Sequence, residues 1–507
     1  MVSEFVRNRP GLVIALMAAL SIVPLLMPAI PPLTDLLGHI GRYRVQLDVA
    51  SDPILQRYYS FEWALIGNLG VDLLVQIFAP LIGLEPAVKS IVIAIVALTT
   101  AAFLMLSYQV HGRIGAASLF ALPLAYSFPF QFGFVNYCLS MALAFLAFTL
   151  WIRLGVAGQI RLRLLLFVPI SFIIWVAHIG GWGALGLCAF AAECIRMRDA
   201  GNRWVHAIIK GGLYCVPLAL PLIIILISRG SGAEGGTGDW FNWSIKYNWI
   251  MMALRDRWQG FDVASVMVLL IIIAAAVILS GLRFNRTLGL AALFLGAAFL
   301  IMPRILIGSA YADMRLAPYV IALGLLAIET VRGAGPSLRR VLMVSGFIFF
   351  TLRTAVTAES FRRHDALITA EAEAIRHIPR GARVAAFLSR GCNESWVLER
   401  RSHISSIALA RRSAFVNDQF LMSGAQLIQT RYKAAAPFDR DPSQFMTGEA
   451  CPRDDWRSFR EAMRTVPRSA FDYIWVIGKP EDRGVDYSGL SPVWQHDGSI
   501  VYRIGAQ

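Results

Sequence analysis

Three side chains able to move a proton or hold an anion follow the first apolar run of the chain. They lie in the segment Pro31-Pro-Leu-Thr-Asp35-Leu-Leu-Gly-His39-Ile-Gly-Arg42. Asp35 and His39 are four residues apart, so a helix places them on one face, with Arg42 three further on and on the same side. A carboxylate in such a group can take a proton from an attacking hydroxyl, while the imidazole orients that hydroxyl or a phosphate oxygen. The same residues also fit a plainer role, in which Thr34 or Asp35 caps a surface helix.

A second polar group occupies Pro303-Arg304 through Arg315-Leu-Ala-Pro318, with Tyr311 and Asp313 between the two arginines. Arginine's planar fork suits it to clamping phosphate, and polar groups flanked by apolar helices are functional candidates. The plainer reading is that Asp313 pairs with Arg315, or that both reach out to the interface. Two hairpins carry further candidates for substrate contacts. One holds Asn136 in Phe130-Gln-Phe-Gly-Phe-Val-Asn136-Tyr137. The other holds His178, flanked by Trp175 and Trp182, in the manner of an interfacial aromatic belt.

Long apolar elements must position these residues. Of 507 residues 57% are hydrophobic and only 16% charged, and the mean hydropathy is +0.58. A soluble chain would carry about 25% charged residues. The runs 11–32, 88–108, 114–128, 134–152, 164–177, 182–195, 211–228, 263–282, 288–302, 316–328 and 342–356 make about eleven candidate transmembrane helices, several shorter than a full span. The net charge of +14 does not indicate nucleic-acid binding, because the basic residues sit in short clusters between apolar runs.

The stretch 61–84 is apolar but contains Asn68, Gly70 and Asp72. If it lies along the membrane surface, Arg7, Arg9, Arg113, Arg153, Arg161, Arg163, Arg196, Arg198, Arg203, Lys210, Arg283, Arg286, Arg332, Arg339 and Arg340 all fall on one side. That clustering assigns the side, and the N-terminus, to the cytoplasm. Segment 34–87 is then the first extracytoplasmic loop with interfacial helices. Residues 1–357 form a transmembrane domain and 358–507 a soluble extracytoplasmic α/β domain. Strands are expected at 383–388, 471–477 and 499–504, and helices at 369–377 and 455–465, from β-branched, aromatic and periodic content. Cys392 and Cys451 are the only cysteines of that domain. In an oxidising compartment such a pair suggests a disulfide; two unrelated buried thiols are the alternative.

The sequence contains no metal-binding motif, phosphate-cradling glycine loop, nucleophile elbow or dinucleotide fingerprint. No cofactor is expected, and a divalent metal is possible without being implied.

In layout the whole chain resembles the GT-C superfamily of integral-membrane glycosyltransferases: an inside N-terminus, an Asp in the first outer loop, a surface helix after it, many helices, and a C-terminal outer domain. The resemblance implies a polyprenyl-phosphate-linked sugar donor entering from the membrane lipid. It implies inverting hexosyl or pentosyl transfer to an extracytoplasmic glycan, lipid or protein acceptor, and a place in the bacterial inner membrane. Asp35 takes the base role, assisted by His39. Arg42, Arg304 and Arg315 take the donor-phosphate role, and Asn136, His178, Tyr311 and Asp313 line the substrate site. Better-known members often carry adjacent Asp-Glu in this loop. Here Leu36 follows Asp35, and Glu62 is the nearest candidate for the second carboxylate. A polytopic transporter or lipid flippase is the alternative from another class, with a membrane acyltransferase centred on His178 as a third.

Overall fold

The computed structural model describes residues 9–228, 236–306, 308–331, 336–392, 395–421, 426–449 and 456–505. Packing divides the chain into two units. The first comprises Met1–Met27, Leu65–Leu73 and Ser90–Ser360; the second comprises Pro28–Ala64, Leu74–Lys89 and Phe361–Gln507.

The first unit is helical. Among the described residues, five helices are long and apolar enough to cross a membrane: Leu84–His111, Val135–Val156, Ile160–Ala177, Gln259–Ile278 and Ser337–His377. Trp204–Tyr214 and Val216–Ile227, bent by 53° across the break at Cys215, make a sixth if the pair is one broken span. In the helices around Gln259–Ile278 and Ser337–His377, only 28% of the most apolar window is buried against protein. Their remaining apolar surface faces outward, as lipid-facing helices require. Several apolar helices can thus span a membrane.

The eleven apolar runs do not all become long helices, and proline and glycine explain the difference. Run 114–128 breaks into Ser118–Ala121, a 3₁₀ turn Leu122–Tyr126 containing Pro123, and Phe128–Phe132, which stops at Gly133 with φ 106°. Run 11–32 gives Pro10–Ser21 and then the short helix Val23–Leu26 around Pro24. Proline removes a ladder N–H and clashes with the preceding turn. Helix Ile179–Asp199 is long, but Gly180, Gly181, Gly183, Glu193 and Arg196 dilute its apolar character. Helix Gly70–Ile82 has 13 residues, about 20 Å, well short of the roughly 30 Å hydrocarbon core. It buries Val71, Asp72, Val75 and Ala79 and exposes Leu73, Ile77, Phe78, Leu81 and Ile82, the pattern of a surface-lying amphipathic helix.

Buried ion pairs lock the helices of this unit. Glu193 accepts from Trp151 at 3.0 Å and Arg163 at 2.7 Å, and Arg163 lies over the Trp151 ring. Asp262 accepts from Arg353 at 2.7 Å. Each charge is almost wholly removed from solvent, so removing one partner would leave the other uncompensated.

The second unit is α/β. Its strands are β1 (Tyr59–Phe61), β2 (Arg383–Ser389), β3 (Phe415–Val416), β4 (Ile428–Thr430), β5 (Phe445–Thr447), β6 (Arg457–Ser458), β7 (Tyr473–Ile477), β8 (Leu490–His496) and β9 (Ser499–Ile504). The main sheet runs β8-β9-β7-β2-β5-β6, with β3 also paired to β2. The β2 pairs are parallel, while β7, β9 and β8 pair antiparallel. β2 and β7 are apolar and buried along almost their whole length, as expected of central strands covered on both faces. The sequence expectations for three of these strands hold to within two residues. Of the predicted helix 455–465, Phe459–Thr465 is helical, Arg457–Ser458 is instead strand β6, and residue 455 lies outside the described residues.

The boundary expected at 357/358 falls close to the packing division between Ser360 and Phe361. Most of the first loop, however, groups with the C-terminal residues, while Leu65–Leu73 belongs to the first unit. β1 pairs antiparallel with β4, the Tyr59 hydroxyl accepts from the Val416 N–H, and Asp52 accepts from Ser413 and Arg380.

Candidate functional site

In the second unit, helix α1 (Leu36–Asp48) begins directly after Asp35. Asp35 stands at the N-cap but its side chain makes no cap hydrogen bond, so helix capping does not account for it. Its Oδ1 lies instead 3.9 Å from Nε2 of His403. Both residues are largely buried. His403 Nδ1 is 2.7 Å from the carbonyl oxygen of Asp418. A carbonyl only accepts, so Nδ1 carries a proton and Nε2 is the nitrogen presented to Asp35.

Two glycines allow this approach. A Cβ on Gly38 would stand 2.7 Å from the Phe420 ring and 3.1 Å from Cγ of His403. One on Gly41 would meet Gln419 Nε2 at 2.7 Å and Ser406 Cβ at 3.0 Å. The bare backbone of α1 therefore sits against helix α2 (Ser406–Arg412) and the segment 418–420, and Gln419 Nε2 donates to the Gly38 carbonyl at 3.3 Å. Asp418 fixes the other side. Its carboxylate accepts from the hydroxyls of Ser405 and Ser406, both at 2.6 Å, and from the Ser406 N–H at 3.1 Å. Burial nevertheless pushes the Asp418 pKa up, outweighing the charge of His403 and these hydrogen bonds.

His39 is half-buried beside the same residues, its ring 5.5 Å from Phe420 and 6.1 Å from Tyr43. Burial, then the charges of Arg42 and His403, hold its pKa well below the ordinary imidazole value, so it is neutral. Arg42 is 2% exposed and lies over the Tyr43 ring at 4.7 Å. The guanidinium is thus packed into the protein beside α1. Glu62 is exposed just past β1 and does not join the group.

In the first unit, Arg315 is half-buried. One guanidinium nitrogen lies 3.3 Å from His178 Nε2, another donates to Ser309 Oγ at 3.3 Å, and the group covers the Phe134 ring at 4.2 Å. The Tyr137 hydroxyl donates to the Arg315 carbonyl at 2.8 Å. His178 is the N-cap of helix Ile179–Asp199, and its Nδ1 accepts the Gly180 N–H at 2.9 Å. Nδ1 therefore holds a lone pair and Nε2 carries the proton. Arginine cannot accept a hydrogen bond, so Nε2–H and the guanidinium N–H groups are neighbouring donors, a pair suited to a shared anionic acceptor.

The remaining candidates are placed differently. Asp313, 1% exposed, is paired with Lys246 at 3.1 Å rather than with Arg315, and also accepts from Trp249 and its neighbour Met314 N–H. Its oxygens are engaged inside the protein. Asn136 is likewise engaged in structure: its amide donates to the Asn68 carbonyl and to Asp72, and its oxygen accepts the Val71 N–H. It holds the start of helix Gly70–Ile82. Arg304 pairs with Asp239 at 2.5 Å. Tyr311 is held at φ 62° between the rings of Phe132 and Trp249. Trp175 is buried, not belt-forming; Trp63, Trp204, Trp240 and Trp243 are among the exposed aromatics.

Sequence reasoning missed His403, Phe420, Asp418 and Gln419. The one available signal was Gly38-x-x-Gly41, whose spacing leaves a bare strip on one helix face. Cys392 is disulfide-bonded, while Cys451 lies outside the described residues. Cys138, Cys188, Cys194 and Cys215 are free thiols. Among the described residues, no three His, Cys, Asp or Glu side chains are grouped so as to hold a metal ion. Compared with known proteins, the chain matches no protein-family model and no curated sequence at a significant level.

Proposed function

We propose that this protein is a GT-C-type membrane glycosyltransferase. It transfers a sugar from a polyprenyl-phosphate-linked donor to an extracytoplasmic glycan, lipid or protein acceptor. The observation that carries the reading is Asp35: a buried carboxylate directly after the first apolar helix, not used as a cap, and facing an imidazole nitrogen. A group so held is suited to general-base work, where geometry and proton affinity must both be set by neighbours. The full reading places about eleven membrane passes, counting short and broken helices, in a bacterial inner membrane, with the N-terminus cytoplasmic and Asp35 on the outer side.

Under this reading Asp35 takes the proton of the acceptor hydroxyl as its oxygen attacks the anomeric carbon. The bond from that carbon to the phosphate oxygen breaks, inverting the configuration, and the lipid phosphate leaves with the electron pair. Hydrogen-bond donors directed at its oxygens favour the departing phosphate. The capping role of His178 favours this reading over an acyltransferase centred on that residue, since its Nδ1 is already committed to Gly180.

The direct test supplies the purified full-length protein in lipid nanodiscs with a panel of radiolabelled polyprenyl-phosphate sugars and follows loss of label from the lipid. Time-dependent transfer or hydrolysis of at least one donor is expected. If every donor stays intact and none binds, the proposal fails.

A further inference from the structure

Resting on the reading above, we infer that the base is a pair: His403, contributed by the segment before α2, is the proton partner of Asp35. The acceptor O–H bond breaks and its proton moves to Oδ1 of Asp35. At 3.9 Å the carboxylate and Nε2 are too far apart for a direct hydrogen bond but close enough for one bridging water. Through that water the proton passes to Nε2, giving an imidazolium and restoring the carboxylate. The imidazolium later gives its proton to solvent.

The surroundings of His403 are built for this exchange. The ring cannot rotate freely, because Nδ1–H is tied to the Asp418 carbonyl and the ring face packs on Phe420, with centroids 4.2 Å apart. The charged and titratable groups around it come from three elements. Asp35, His39 and Arg42 lie on or before α1, Asp418 lies on the facing segment, and Arg400 and Arg401 lie in the preceding turn. Arg400 is committed elsewhere, donating to the Pro32 carbonyl and covering the Phe361 ring. Burial, then the charges of Arg42 and His403, hold the His39 pKa well below the ordinary imidazole value, so it does not compete for the proton. His403 acts through Asp35 and is a positioning and proton-holding residue rather than a group that touches the acceptor.

The variant that isolates the role is His403→Asn. Its amide nitrogen occupies the place of Nδ1 and keeps the bond to the Asp418 carbonyl, while Nε2 is lost. The first measurement needs no substrate: thermal unfolding of the full-length protein in detergent between pH 5 and 8, for wild type, D35N, H403N and the double variant. Non-additive shifts in Tm that change across this range are expected. Additive shifts at every pH would overturn the pairing. The second measurement is the pH dependence of transfer. In H403N the acid limb of kcat/KM is expected to move toward the ordinary carboxylate range, about 4, with kcat reduced and KM little changed. An unmoved limb would overturn the proton role. If the thermal cycle shows coupling and no lipid-linked sugar is turned over by wild type, the glycosyltransferase reading fails while the pairing stands.

Discussion

Nε2 of His178 faces the guanidinium of Arg315 at 3.3 Å, while Nδ1 of the same ring accepts the Gly180 N–H at 2.9 Å. The ring therefore does two jobs that mutation can separate. His178→Ala removes both, and loss of the N-cap should lower stability by about 1 kcal/mol. His178→Asn restores an oxygen able to cap, so its Tm should return close to wild type, but Nε2–H stays absent. Donor binding measured by titration should be weakened in both variants. Equal Tm for H178A and H178N would show that the capping bond contributes nothing.

Gly38 and Gly41 let α1 lie against His403, Phe420, Gln419 and Ser406. Gly41→Ala places a methyl 2.7 Å from Gln419 Nε2 and 3.1 Å from the Ser406 carbonyl, and the backbone oxygen cannot give way as a side chain can. Overpacking of this kind costs about 1–3 kcal/mol. A Tm of G41A unchanged from wild type would contradict the close approach.

The helical, lipid-exposed character of the first unit and the α/β character of the second were legible in composition and periodicity, because burial in lipid and in a central strand both demand continuous apolar runs. Asp35 and the surface helix near Gly70 were legible for the same reason: polar residues stand out against such runs. What could not be read was which residues meet Asp35. His403 lies far along the chain, and its role depends on a ring orientation fixed by a backbone carbonyl at Asp418, which leaves no mark in residue types. The partners of Asp313 and Asn136 were hidden for a related reason, since a polar residue paired with Lys246 or with Val71 and Asp72 looks the same in sequence as one facing a ligand.

Asp313 and Lys246 are both nearly inaccessible, 3.1 Å apart, and Lys246 also donates to the carbonyls of Phe299 and Met302. Lys246→Met leaves the carboxylate buried without its counter-charge, at a cost of about 3–5 kcal/mol. The double variant K246M/D313L should recover much of that loss, because neither charge then remains. Full-length protein followed by thermal unfolding distinguishes the two; a double variant as unstable as K246M would contradict the pairing.

Asp52 ties the first loop to the rest of its unit. Burial raises its pKa, but hydrogen bonds from Ser413, the Ile54 N–H and Arg380, with the charge of Arg380, more than offset this and hold it below the ordinary value. A depressed folded-state pKa means the contribution is complete above the unfolded value, about 4, and is lost as pH falls through the folded one. Wild type should therefore exceed D52N in stability at pH 6, with the gap closing in acid. A gap that widens on acidification would refute the assignment.

The central claim is that Asp35 removes the acceptor proton. Asp35→Asn preserves size and leaves the start of α1 undisturbed, since the native side chain makes no cap hydrogen bond there. The decisive measurement is the rate of sugar transfer from a lipid-linked donor by D35N and wild type, both verified as folded by thermal unfolding. Loss of a general base lowers the rate by about 10²–10⁴-fold, so D35N should bind donor with near-normal affinity and turn it over at most at a hundredth of the wild-type rate. Transfer by folded D35N at the wild-type rate would contradict the account.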